Sequence, residues 1–195
     1  MHSLLGEDGL GRMIVYFSKE EVGLISRWVD MEQENVAHRR ANRTRRDLSR
    51  KQEDTDWIGL AGEFAVAKSL CLPIESCSIT QNGLSVDDGH DIKLPIATIQ
   101  VKTIEVRNVS AIGRYDFRFT MEGSYRSEFK SDYGILSFLH PCRTVVQLGG
   151  YITRGEFLAM NDTVDLGTGV RACCPVSKMH DAEKLINELR GRDGR

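Results

Sequence analysis

The chain has 195 residues, 41% of them hydrophobic and 28% charged, with a formal net charge of −2. Those values suit one soluble globular domain with a real core and exclude a globally basic nucleic-acid binder, so any such surface must be a local patch. No apolar run approaches the roughly 20 residues of a membrane helix, the N-terminus lacks a signal-peptide core, and five cysteines without Cys-x-x-Cys spacing point to reduced cytoplasmic thiols rather than a disulfide framework or a zinc site.

Residues 1–12 read as a flexible tail and 13–195 as one domain, with 13–54 a helical, basic N-terminal extension. Met13 to Phe17 is a short β-prone run. Ser18 with Glu21 makes a capping box, and a helix should follow with Val22, Ile25, Val29 and Val36 along its apolar stripe. It runs into Arg39, Arg40, Arg43, Arg45, Arg46, Arg50 and Lys51, where only Asp47 opposes the positive charge. Such a stretch can track phosphates; a solvated helix face balanced by nearby acids is the competing reading.

A second helix is expected from Trp57 to Leu70, capped by Thr55 or Asp56. Trp57, Leu60, Ala61, Phe64, Ala67 and Cys71 repeat on one core face, and Gly59 and Gly62 on the other side suggest a close backbone approach. After Pro73 an irregular stretch ends at Asp87, Asp88, Gly89 and His90. Candidate strands then follow at Asp91–Leu94, Thr98–Val106, Tyr115–Thr120, Gly134–His140 and Val145–Ile152. The unbroken apolar run from Gly134 predicts a central strand covered on both faces. Thr153 should cap a short helix through Met160, Val170–Pro175 reads as an edge strand, and Asp181–Arg190 as an amphipathic helix stopped by Gly191. The order predicts an α/β (α+β) domain with a central mixed sheet flanked by helices.

The residues that carry chemistry cluster around Pro95. Asp91 opens one short strand, and Gln100, Val101 and Lys102 lie in the next. Alternate side chains of a strand share a face, so Gln100 and Lys102 point the same way, roughly 6.5–7 Å apart. Antiparallel pairing through the Pro95–Ala97 turn would set Asp91 across from residues 100–102, and a slip of one residue would put it on the wrong face. Glu63 lies at the flank of the second helix, within reach of a strand end. Mg²⁺ is held by one or two carboxylates, water and phosphate oxygens. Asp91 and Glu63 could supply the carboxylates, with the Gln100 amide oxygen and the Val101 backbone carbonyl completing the set. Lys102 would then orient water or stabilise transition-state charge. His90 is either a ligand or proton carrier, or an ordinary turn histidine.

Glu63 on an early helix, Asp91 and Gln100-x-Lys102 resemble the PD-(D/E)xK nuclease superfamily, in the Gln-x-Lys variant of Mrr-type restriction enzymes. A wider likeness over most of residues 55–190 rests on Gly59-Leu-Ala-Gly-Glu-Phe-Ala-Val-Ala-Lys, Asp91-Ile, Gln100-Val-Lys-Thr, Tyr133-Gly-Ile-Leu-Ser, Gly150-Tyr-Ile-Thr-Arg-Gly-Glu-Phe and Cys174-Pro-Val. It is similar to phage-encoded proteins of unassigned role in that superfamily. The resemblance implies a restriction-endonuclease-like fold and metal-dependent nuclease ancestry, in a group whose members include decayed active sites. Gln100 stands where Glu or Asp is more usual, which reduces the site's negative charge.

The resulting expectation is a Mg²⁺- or Mn²⁺-dependent nuclease acting on DNA, of phage or prophage origin, in the cytoplasm of a bacterial host. RNA is not excluded as substrate, and a homodimer is an expected arrangement because many nucleases of this fold pair to cut both strands. The alternative is a non-catalytic nucleic-acid- or protein-binding module on the same fold, using the Arg39–Arg46 surface or modulating a host defence complex.

Overall fold

Among the described residues, segments rich in Val, Ile and aromatic residues, separated by polar turns, form nine strands around which four α-helices are arranged. The computed structural model describes residues 5–7, 13–36, 52–77, 90–108, 112, 117–121, 129–165, 167 and 169–192. The basic stretch from Arg39 to Lys51, Asp87, Asp88 and Tyr115 lie outside the described residues.

The main sheet contains β1 (Leu5–Glu7), β2 (Met13–Tyr16), β3 (Ile92–Leu94), β4 (Ala97–Glu105), β6 (Tyr133–Leu139) and β7 (Val145–Thr153). Its order is β1-β2-β7-β6-β4-β3. Only the β4–β6 pair is parallel; the others are antiparallel, so the sheet is mixed as expected. β6 lies between β4 and β7 and is buried from Gly134 onward, the central strand that its apolar run predicts. A second sheet, β5-β9-β8, is built from Arg118–Thr120, Val170–Pro175 and Thr163–Asp165. The strand at Thr163–Asp165 has no counterpart among the sequence expectations.

Two parts of the N-terminal reading are corrected. Leu5–Glu7, inside the expected tail, pairs with β2. Met13–Tyr16, read as part of an extension, pairs with β7 in the main sheet. Each strand meets the backbone hydrogen-bonding demand of the one before it: β2 covers the open side of β7, and β1 covers that of β2.

The capping box is present: Ser18 N donates to Glu21 Oε2 at 2.7 Å, and Glu21 N donates to Ser18 Oγ at 3.2 Å. It starts α1 (Lys19–Val36), which buries Ile25 and Val29. Helix α2 (Gln52–Ser69) begins earlier than expected and is buried on nearly every side from Trp57 to Leu70, rather than along one stripe. The reason is a sandwiched position, with α1 on one side and the sheet on the other. Gly62 makes the sheet contact possible: a Cβ there would stand 1.8 Å from Thr103 Oγ1 and 2.7 Å from Ser137 Oγ. Gly59 has no such neighbour. Cys71, expected in the core, is exposed and takes the left-handed conformation that ends α2 (φ 61°), with Leu72 N donating to Ala67 O at 2.8 Å.

Helix α3 (Arg154–Ala159) is capped by Thr153 as expected, and α4 (Ala182–Arg192) buries Ala182, Leu185, Ile186 and Leu189. Gly191 does not stop α4, because a single glycine weakens a helix end without forbidding it. The sheet separates two apolar clusters. One joins α1, α2 and α4 to Ile92, Ile99, Val101, Ile135 and Val146. The other joins the second sheet to Leu136, Phe138, Ile152 and Phe157.

The β6–β7 turn is tied back to the helix side. Arg143, itself left-handed (φ 57°), donates from Nε to Glu105 at 3.1 Å and from Nη1 to Asp54 at 3.2 Å. Its guanidinium lies over the Trp57 ring, 5.3 Å from the centroid.

Candidate functional site

The hairpin of β3 and β4 turns at Pro95 and Ile96, and its register pairs Ile92 with Ile99 and Leu94 with Ala97. Ile92, Ile99 and Val101 face the α2 side and join its cluster. By alternation, Gln100 and Lys102 belong to the opposite face. The same register sets Asp91 level with Gln100, so the slip that would separate them has not occurred.

Asp91 stands just before β3, where the regular ladder ends. Its N–H donates to Ile99 O at 2.9 Å, one step off the register. Its Oδ2 accepts from Val101 N at 2.6 Å, taking the place of the next ladder carbonyl. The carboxylate therefore lies at the sheet edge, fixed against β4. Val101, expected to offer its carbonyl, is joined to Asp91 through its N–H.

Gln100 is 9% exposed, and its Oε1 is a buried acceptor with no hydrogen-bond partner among the described residues. Its partner on β6 is Gly134, where a Cβ would be 2.6 Å from the Phe119 ring. Phe119 thus closes the face beside Gln100. Lys102, two residues on, is half-buried.

Glu63 is 7% exposed on α2, directly after the Gly62 contact with β4 and β6. Its charge and that of Asp91 are both felt by Cys77, whose thiol is pushed far above its usual value first by burial, then by Glu63, then by Asp91. Cys77 bridges to Ile92 on the outer side of β3. The two carboxylates expected to work together thus bear on one corner of the molecule. Cys77 is a member of that corner that the sequence reading missed, since nothing in its irregular neighbourhood marks it.

Ser131 and Asp132, which the sequence reading missed, fix the corner from the other side. His90 Nδ1 and Ser131 Oγ share a 2.9 Å hydrogen bond. Next to Ser131, Asp132 Oδ2 accepts from Thr98 N and Thr98 Oγ1, both at 2.8 Å, and Asp132 N donates back to Thr98 Oγ1 at 3.1 Å. Those bonds hold the Asp132 carboxyl below its ordinary range. No spacing in the sequence connects positions 131 and 132 to positions 90 and 98.

No family model, curated protein or solved structure matches this chain. The reading of the corner therefore rests on its own donors. Among the described residues, no three His, Cys, Asp or Glu side chains form a metal-holding group by themselves. The donor set is nevertheless of the kind a hard divalent cation takes: among the described residues Gln100 Oε1 is a neutral oxygen without a partner, and the Asp91 carboxylate stands level with it. Mg²⁺ and Mn²⁺ accept such sets, retaining several waters and taking substrate oxygens. The expected nucleic-acid-binding residues Arg39, Arg40, Arg43, Arg45 and Arg46 lie outside the described residues.

Proposed function

We propose that the chain is a Mg²⁺- or Mn²⁺-dependent phosphodiesterase that cuts DNA, built on a restriction-endonuclease-like fold, phage or prophage derived and working in a bacterial cytoplasm. The observation that carries this reading is the buried Oε1 of Gln100, unpartnered among the described residues, level with Asp91 and one alternation from Lys102. A folded protein rarely leaves a buried acceptor unmatched without a use for it.

In this reading Asp91, Glu63 and Gln100 would hold the cation. When bound, it would polarise a phosphate and lower the pKa of an attacking water. Asp91 presents a carboxylate pre-set by the Val101 N–H. Gln100 supplies a neutral oxygen, keeping the net charge low enough for a phosphate to approach. Lys102 places a positive charge on the same face, where charge develops on the phosphate oxygens in the transition state. The Arg39–Arg46 stretch would follow the strand backbone.

The test uses linear, nicked and single-stranded DNA with Mn²⁺, for the wild type and Lys102→Ala. The expected outcome is cutting by the wild type and a loss of about 100-fold or more in the variant, with unchanged thermal stability. Equal cutting by both would defeat the assignment. Gln100 itself favours a second reading, a non-catalytic binding module, because a neutral amide weakens metal affinity. Salt-sensitive DNA binding without cutting, lost on changing Arg39, Arg40 and Arg43, would establish that reading.

A further inference from the structure

The ties around Asp91 form a circuit that leaves β4 at Thr98 and returns to it at Val101. Thr98 holds Asp132 through three hydrogen bonds. Asp132 adjoins Ser131, which is completely buried. Ser131 Oγ bonds His90 Nδ1 at 2.9 Å. His90 adjoins Asp91, whose Oδ2 receives the Val101 N–H at 2.6 Å. Gln100 lies inside this circuit.

From this geometry we infer that His90, anchored by Ser131, is a positioning residue that sets the Asp91 carboxylate on the Val101 amide. Asp91 stands just before the regular ladder, and its backbone is tied to β4 by one bond, from its N–H to Ile99 O at 2.9 Å. A single peptide joins it to His90. With the His90 ring held to a buried serine two residues before β6, the backbone before Asp91 loses the rotation that would swing the carboxylate off the edge. Outer partners of this kind orient the groups that do the chemistry, and their removal typically weakens metal binding or activity about 10- to 100-fold. The consequence for metal binding rests on the nuclease reading above; the positioning of Asp91 does not.

The Val101 amide reports the carboxylate directly. Its hydrogen-exchange protection is to be compared in the wild type, His90→Ala, Ser131→Ala and His90→Asn, with Mn²⁺ affinity measured by calorimetry on the same samples. The asparagine amide can replace Nδ1. The alanine variants are expected to lose roughly five- to tenfold of Val101 protection while the Leu136 and Ile152 amides keep theirs. They should also bind Mn²⁺ about tenfold more weakly, and His90→Asn should stay near wild type on both counts. Unchanged Val101 protection in His90→Ala overturns the inference. So does a uniform loss across the sheet, which would mark a merely structural role. A selective Val101 response in a protein that binds no Mn²⁺ upholds the positioning and removes the nuclease reading instead.

Discussion

Gln100 is a neutral amide in a corner with two acids, Glu63 and Asp91, and that choice has consequences for both stability and binding. A third carboxylate at this position would be buried beside like charges, which is costly unless a cation is bound. Gln100→Glu is therefore expected to lower the metal-free melting temperature by about 3–8 °C. Mn²⁺ should restore most of that loss and should bind more tightly than to the wild type. Calorimetric melting with and without Mn²⁺ checks both, and a variant as stable as the wild type without metal would show that the corner is not closed. At this scale the sequence was legible in part. The residue types and two-residue spacing of Gln100 and Lys102 could be read directly. The role of Asp91 as a substitute ladder acceptor could not, because it depends on where strand pairing stops.

Among the elements, agreement is best where local pattern and tertiary packing make the same demand. Val170–Pro175 is found at its expected bounds, although it is the middle strand of its sheet and not the edge that was expected, and the Thr153 cap is in place, because each has its signal within a few residues. The ends of α2 and α4 were harder to read. A helix squeezed between another helix and a sheet has no polar face to reveal its period, and α4 passes through a glycine that looks like a stop. The Thr98–Asp132 clasp, which secures the parallel β4–β6 pair, joins segments far apart in the chain and leaves no local trace. Gly62 was legible as a close approach, and the structure identifies its neighbours. Gly62→Ala drives a methyl group into Thr103 and Ser137, so it should destabilise the protein by about 1–3 kcal/mol despite alanine's better helix propensity. Urea unfolding tests this, and a more stable variant would mean that α2 can lift from the sheet without penalty.

In the molecule as a whole, each face of the main sheet buries one thiol with a raised pKa. Cys77 lies in the cluster with α2, and Cys174 in the cluster with the second sheet. Burial, followed by the charge of Asp162, pushes Cys174 from 9.0 up to about 12; burial followed by Glu63 and Asp91 pushes Cys77 up as well. The unfolded thiols ionise near 9 while the folded ones stay protonated. Their contribution is thus complete below pH 9 and is lost as pH rises through the folded values. Asp132 and Glu156 act in the opposite direction. Hydrogen bonds from Thr98 lower Asp132, and those from Thr153 and His180 lower Glu156, so their contribution disappears as pH falls through the folded values. The urea midpoint should therefore fall between pH 8 and pH 10.5. A Cys77→Ala, Cys174→Ala double variant should start lower and lose less over that interval. A wild-type midpoint that stays flat to pH 10.5 would contradict the burial of these thiols.

Arg143 has a bearing on the order of events during folding. Its partners, Asp54, Trp57 and Glu105, belong to a helix and a strand that precede the β6–β7 hairpin by long stretches of chain. A hairpin that closes early, as local pairs do, offers this side chain nothing to hold. Only after α2 has settled on the sheet and β4 has aligned beside β6 do all three partners reach it. The guanidinium then acts as a latch on a finished assembly. An interaction absent from the folding transition state leaves the rate of assembly alone and slows the rate of coming apart. The turn that looks like a simple connection between two strands thus contributes to how long the native molecule persists.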